Sequence, residues 1–157
     1  MLFRFQRRFT NLCMAQLSKS MVSFRIAGDD LVPEEISRIL GASPTEARTK
    51  GEKIVGRKTG SVRIAKTGSW TLKASDREPE DMDGQIQELL GQMTDDIATW
   101  QSLTHRYHAD LFCGLFMHET DEGLIISAKY LAALGSRGIE LGLCLYAPTD
   151  GVGAATA

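Results

Sequence analysis

Two adjacent aspartates, Asp29 and Asp30, are the first residues in the chain whose type and spacing could support chemistry. Neighbouring carboxylates offer the oxygen ligands that hard cations prefer, and they could also form an acid–base pair. The two residues stand between an alternating apolar stretch and a helical pattern, where side-chain oxygens commonly accept backbone hydrogen bonds within a tight loop. We therefore expect both aspartates to be structural first and to bind no metal.

A second candidate is a basic segment, residues 48–73, which holds eight Lys and Arg side chains and one acidic residue. Lys50, Arg63 and Trp70 belong to it. Together with the aspartate loop, this basic segment defines an alternative hypothesis, an enzyme or an anionic-ligand-binding protein. That hypothesis requires the side chains to converge in one concave pocket. The glycines and lysines of the segment lack the strand-to-helix context of a phosphate-binding loop.

The remaining reactive side chains form no strong motif. His105 and His108 make an HxxH pair, but the helix is predicted to end near Leu103, so no helical face holds the two imidazoles together. Cys113 lies in a predicted buried strand, which favours a small core residue over a nucleophile. The sequence therefore predicts no catalytic residue, no metal site and no cofactor.

The elements that would position these residues alternate between strands and helices. Val22, Phe24 and Ile26 alternate with polar residues, which is typical of a strand with one covered face. Pro33 and Gly41 suit the start and the end of a short helix. Further along, the patterns predict a basic hairpin over 61–74 and a long apolar helical stripe over 82–100, with a break into two helices at Gly91 as the alternative. A strand over 110–118, a helix from Ser127 to Gly135, and a strand over 139–146 follow.

This order of elements predicts an α+β fold. Two βαβ-like units are joined by the long helix, and the helices pack on one face of a mostly antiparallel sheet, as in ferredoxin-like folds. We expect residues 1–20 to be a dispensable or flexible extension, residues 21–146 a single domain, and residues 147–157 a mobile tail. The other face of the sheet is expected to carry a mixed aromatic and basic set: Arg25, Arg63, Lys73, Phe112, Phe116, His118 and Tyr146.

Four stretches of the chain together resemble a bacterial family of unknown function. They are FRIAGDDLVPEEISRILGASPTEARTKGE at 24–52, the GSW-L pattern at 68–72, DLFCG at 110–114, and LGLCLY at 141–146. The set is similar to the domain of unknown function DUF4279 over about residues 22–146. The resemblance implies a bacterial origin and supports the domain boundaries, and it implies no activity.

Composition limits the function classes. The longest uninterrupted apolar run, 111–117, is far shorter than the roughly 18 residues of a membrane span. Three cysteines without CxxC spacing indicate neither a disulfide framework nor a zinc ribbon, which fits a reducing cytoplasm. The net charge of −2 combines the basic segment with an acidic one, 76–96, which has eight acidic residues and one basic residue. We interpret the two as solvated faces, so binding of nucleic acid is not expected.

Two function classes remain. We favour a small cytoplasmic, non-catalytic interaction or accessory module that binds another protein or itself, of which an immunity-type factor is one form. The enzyme or anionic-ligand hypothesis is the alternative, and a nucleic-acid-binding module is third. The candidate ligand or partner surface comprises Asp29, Asp30, Lys50, Arg63, Trp70, Phe112 and Phe116.

Overall fold

The structure, a computed structural model, describes residues 15–56 and 60–148. The strands in these ranges are β1 (Ala15–Gln16), β2 (Lys19–Gly28), β3 (Glu46–Arg48), β4 (Lys53–Val55), β5 (Val62–Ile64), β6 (Gly68–Lys73), β7 (His108–Phe116), β8 (Glu122–Gly123) and β9 (Glu140–Tyr146). The helices are α1 (Pro33–Leu40), α2 (Met82–Leu90), α3 (Ile97–Arg106) and α4 (Ala128–Arg137).

Five strands form the main sheet, in the order β3-β6-β2-β7-β9. Neighbours in it are antiparallel except for β7 and β9, which are parallel. β2, α1 and β3 make a βαβ unit that is split by β6, whereas β7, α4 and β9 make a unit whose strands are adjacent. The predicted α+β class and the mostly antiparallel sheet are confirmed, and the adjacent strands of the second unit depart from ferredoxin-like strand order.

One hydrophobic core lies between the sheet and the helices. The strands alternate, so that Phe24 pairs with Leu72 on one side and Leu111 on the other, and all three side chains are buried. Trp70 and Trp100 are fully buried, and both pack edge-on against Phe24 with ring centroids 6.0 and 5.5 Å away. The predicted burial of both tryptophans is confirmed.

The helix ends follow the local sequence. α1 begins at Pro33 without a side-chain cap, while Leu31 and Ile36, at the positions of a hydrophobic staple, are both buried. The predicted long helix is divided after Gly91, and α3 starts anew because the Asp96 carboxylate accepts hydrogen bonds from the amides of Ala98 and Thr99.

The predicted hairpin over 61–74 is wrong. β5 pairs with β4 instead, and these two strands form a separate small hairpin. β6 cannot pair with β5 because its two edges are taken by β2 and β3 in the main sheet. Gly68, which was expected in the turn, begins β6, where a Cβ would lie 2.6 Å from the carbonyl oxygen of Leu31. Close backbone packing therefore requires glycine there.

The folded part of the chain also begins earlier than predicted. β1 pairs with β8, Leu17 is buried in the core, and β2 starts at Lys19. The buried Ser20 hydroxyl donates to the Gln85 side chain over 2.5 Å, and Gln85 donates back to the Ser20 carbonyl over 3.1 Å. Residues 15–20 are thus part of the domain. The remaining terminal expectations, for 1–14 and 149–157, concern stretches outside the described residues.

Glu88 fixes the connection between β6 and α2, and it makes stability sensitive to acid. Its carboxylate accepts hydrogen bonds from the Ser75 amide and hydroxyl, at 2.8 and 2.9 Å, and from Arg77 at 2.9 Å. The Ser75 amide bond is the largest cause that lowers the pKa of Glu88 below its ordinary value of 4.5. An acid with a lowered pKa contributes stability that is complete above its unfolded-state pKa and is lost as the pH falls through the folded-state pKa.

Glu88→Gln is expected to lower the free energy of unfolding by about 1.5 kcal/mol near neutral pH, the low end for bonds to a charged group, because the side chain is partly exposed. Urea titrations from neutral pH to about pH 3 should show the wild-type and variant free energies converging in acid. Glu119→Gln, in the exposed loop after β7, is the control, with an expected change within about 0.5 kcal/mol. A difference that does not depend on pH would contradict the assignment.

Candidate functional site

The face of the main sheet that points away from the core carries no helix in the described ranges, and we call it the open face. Register places its side chains in cross-strand rows. One row runs from Lys73 through Ser23 to Phe112, and the next residue across, on β9, is Gly142. Another row pairs Phe116 with Tyr146. The open face is therefore built from four strands that are distant in sequence.

One half of the open face is an aromatic hollow of about 270 Å³, formed by Met21, Phe112, Gly114, Phe116 and Tyr146. The rings of Phe116 and Tyr146 are stacked, with centroids 4.7 Å apart. Gly114 opens the hollow, since a Cβ at this position would lie 3.5 Å from the Tyr146 ring and 3.8 Å from the Met21 Cβ. Met21 and Tyr146 keep 42% and 44% of their surface exposed, which leaves apolar area available to a partner.

The other half of the open face is ionic, and its charges are paired. The Arg25 Nε donates to Asp110 Oδ1 over 2.9 Å, and a second bond from its guanidinium reaches Asp110 Oδ2. This hydrogen bonding raises the pKa of Arg25. The Arg25 guanidinium also covers the Phe112 ring, 4.5 Å from its centroid, and so joins the ionic half to the aromatic hollow. A concavity of about 260 Å³ lies beside it.

A third concavity, of about 710 Å³, lies between the β3 edge and the β4–β5 hairpin. Arg48, Arg63 and Lys73 line it together with Glu46. Arg48 is hydrogen-bonded to Glu46, and the Lys73 ammonium lies 3.9 Å from the same carboxylate. We call this region the basic cleft.

The aspartates of the loop after β2 form exposed ion pairs. Asp29 pairs with Lys50 over 2.6 Å, and Asp30 pairs with Arg106 at the end of α3 over 2.6 Å. The hydrogen bond from Arg106 lowers the pKa of Asp30. The loop turn itself is closed by the backbone, where the Leu31 amide donates to the Gly28 carbonyl. The aspartates thus tie the loop to two other elements, a role that differs from the expected closing of the loop.

The candidate surface predicted from sequence is only partly assembled. Phe112 and Phe116 share the open face, and Arg63 lines the basic cleft at its side. Trp70 lies on the opposite side of the sheet, in the core, where its indole nitrogen donates to the Ser37 hydroxyl over 3.0 Å. Whether any of these residues binds a ligand stays a prediction. The mixed surface expected on this face does include Arg25, Lys73 and Tyr146, whereas His118 follows the end of β7.

The remaining reactive residues are Cys113, His105 and His108, and their environments follow from their positions in the fold. Cys113 is buried, and desolvation raises the pKa of its thiol to about 12, so it remains protonated at neutral pH. It is a core residue, as expected. His105 lies in the last turn of α3 and His108 begins β7. Across 15–56 and 60–148, no three His, Cys, Asp or Glu side chains are grouped where they could hold a metal ion.

Sequence reasoning missed the aromatic hollow because two of the residues that shape it, Met21 and Gly114, lie on separate strands. Met21 was expected only at a domain start, and Gly114 carries no side chain to attract attention. The available signal was the set of small residues at outward-facing positions on two neighbouring strands, where Gly114 pairs with Cys144 and Gly142 lies opposite Phe112. A small residue at an outward position leaves a depression beside its larger neighbours.

The fold and the open face define a small α+β domain in which the described helices cover one side of the sheet and none of them covers the other side. Within the described ranges, no helix is both long enough and apolar enough to cross a membrane. The chain belongs to the family of the domain of unknown function DUF4279, whose model matches residues 17–148. No curated protein and no solved structure matches the chain significantly.

Proposed function

We propose that this domain is a non-catalytic interaction module that binds a segment of a partner protein on its open face. The aromatic hollow carries this proposal. Exposed aromatic side chains around a depression are typical of the residues that dominate binding energy at protein interfaces. The proposal extends to an accessory role, with an immunity-type factor as one form, in the bacterial cytoplasm, which the free thiols of Cys113 and Cys144 support.

The size and chemistry of the hollow favour a protein segment over a small-molecule cofactor. Its volume of about 270 Å³ falls just below the roughly 300–1,000 Å³ of typical ligand pockets. Among the described residues that line it, only Lys73 and Asp76 are charged. One or two apolar side chains of a partner would fill it, while backbone and polar groups of the partner would contact Ser23, Thr71 and the Arg25–Asp110 pair.

The charges of the open face favour protein over nucleic acid. A phosphate backbone is bound by cations that release counterions when they contact it. Lys19, Arg25 and Arg48 each have a carboxylate partner already, in Asp76, Asp110 and Glu46. Binding a phosphate would require breaking these pairs, so the basic residues contribute little to attracting a polyanion.

The alternative, an enzyme or anionic-ligand-binding protein that uses the Asp29/Asp30 loop with the basic segment 48–73, has support from one observation. The basic cleft gathers Arg48, Arg63 and Lys73 around a single carboxylate. The ion pair between Asp29 and Lys50 does link the loop to the basic segment. The interaction-module hypothesis predicts that binding depends on Gly114. The anion-site hypothesis predicts that it depends on Arg63.

Photocrosslinking in the producing cells tests the proposal. A photoreactive residue in place of Lys73, at the rim of the hollow, is expected to capture a defined protein partner. Gly114→Val should reduce the yield at least about tenfold, because a side chain there fills the hollow at a cost above 1.4 kcal/mol. β-Branched residues suit strands, so thermal melting should show that the variant folds.

Two controls separate the hypotheses. The same photoreactive residue in place of Ile39, which is exposed on α1 in the helix layer, should capture no common partner. Arg63→Ala should leave the yield at Lys73 unchanged. An equal yield from both sites, or an unaffected yield in Gly114→Val, would contradict the proposal. Loss of capture in Arg63→Ala alone would favour the anion site, and a nuclease-sensitive product would favour nucleic acid.

A further inference from the structure

β9 is an edge strand of the main sheet, and within the part of the chain that the structure describes it lacks the features that usually protect such edges. In the described residues its only ladder is with β7. Natural sheets block long edges with Lys, Pro, bulges or a covering element. The seven residues of β9, ELGLCLY, include neither Lys nor Pro, and the single charge is Glu140 at the start. All seven residues pair one to one with residues of β7, without a bulge.

The apolar side chains of β9 remain exposed as well. Leu141, Leu143 and Leu145 lie on the helix side, since their β7 partners Leu111, Cys113 and Leu115 are core residues. Leu143 and Leu145 nevertheless keep 47% and 60% of their surface exposed. An apolar strip therefore lies beside the unpaired backbone of the edge, which is the combination that favours strand addition.

The β9 sequence is complementary to itself in one antiparallel register. With Leu143 on the two-fold axis, Leu143 faces its own copy and Leu141 faces Leu145 of the second copy. On the open face, Gly142 faces Cys144 and Glu140 faces Tyr146, so that small residues meet and a phenol donor meets a carboxylate. The two Glu140 carboxylates are kept roughly 20 Å apart by the six-residue separation of Glu140 and Tyr146.

We propose that two copies of this chain pair through β9 in this register and join their main sheets into one continuous sheet. The two-fold axis makes the contact isologous, so it closes as a dimer and does not propagate. The paired edges satisfy each other's backbone groups, and the leucine strips of both copies cover one another. The dimer brings the two aromatic hollows to either side of the new ladder, and it does not depend on what the open face binds.

Sedimentation equilibrium of the full chain tests the dimer. The wild-type chain is expected to approach twice its mass of 17.2 kDa as the concentration rises. Leu143→Lys should raise the dimer dissociation constant at least about tenfold, because like charges would face each other on the axis. Val62→Lys, which places the same charge on the exposed β4–β5 hairpin, should leave the dissociation constant unchanged. Thermal melting shows whether both variants fold.

Disulfide trapping tests the register without relying on a destabilising variant. In a background with Cys13 and Cys144 replaced by Ser, a mixture of Leu141→Cys and Leu145→Cys chains should form mixed disulfides on oxidation. Residues directly opposite in an antiparallel ladder have Cα atoms about 4.5–5.5 Å apart, within disulfide range. Each variant alone should not crosslink, since equivalent residues would be roughly 13 Å apart.

A wild-type chain that stays monomeric throughout the dilution series would overturn the proposal. So would crosslinking of Leu141→Cys with itself as efficiently as with Leu145→Cys, or equal weakening of the dimer by Leu143→Lys and Val62→Lys. A chain that dimerises only after residues 1–14 are deleted would show that this segment occupies the edge, which also overturns it.

Discussion

Trp100→Ala is expected to lower the free energy of unfolding by about 3 to 5 kcal/mol, the usual range when a large aromatic side chain is removed from a core. Trp100 is fully buried, packs edge-on against Phe24, and donates its indole N–H to the Thr94 carbonyl over 2.7 Å. The substitution therefore leaves both a cavity and an unpaired carbonyl. Because small domains have a free energy of unfolding of only about 5–15 kcal/mol, the expected loss is a large part of that total.

Urea denaturation followed by far-UV circular dichroism measures this loss. Gln101→Ala, the next residue of the same helix and an exposed one, is the matched control. Its effect should stay within about 0.5 kcal/mol, since alanine favours helices and no packing is lost. If the two variants unfold at the same urea concentration, the placement of α3 against the sheet would be incorrect.

Truncation to Met21 is the second change with a large expected effect. It removes the buried Leu17, the β1–β8 pairing and the Ser20–Gln85 hydrogen bonds. Loss of the Leu17 side chain alone should cost about 2 to 5 kcal/mol, and the unpaired buried Gln85 amide adds to this cost. We expect the truncated chain to be largely unfolded under conditions in which the full chain is folded.

Leu17→Ala in the full chain separates the side chain from the rest of the segment. It should lower the free energy of unfolding by about 2 to 5 kcal/mol, while Ala15→Ser, at an exposed neighbouring position of β1, should change it by less than about 0.5 kcal/mol. Urea titrations of both variants measure the difference. A truncated chain as stable as the full chain would show that residues 15–20 contribute nothing to the core, contrary to their burial.

Much of the architecture follows from local patterns in the sequence. The alternation of Val22, Phe24 and Ile26 identifies β2, and the same period on β7 places Phe112 and Phe116 together on one face. The α1 boundaries also follow from the sequence, because proline fits the first helical turn and Gly41 takes the left-handed conformation at the end, with φ of 71°. These features depend on residues a few positions apart.

The tertiary structure decided what depends on pairing between distant segments. The 61–74 pattern looks like a hairpin by itself, yet β6 lies between β2 and β3, because burying Trp70 and Leu72 in the core gains more than a local turn. The same holds for Leu17, whose isolated apolar side chain shows no period but fits the core.

The candidate site shows the same division. Sequence alone placed aromatic residues on the open face, since strand alternation is local. It could not show that Gly114 faces Met21 across one ladder and Cys144 across another, nor that Asp30 reaches Arg106. The aromatic hollow and the ion pairs require the register of strands and the docking of helices, which are fixed by the total burial of the core and not by any one segment.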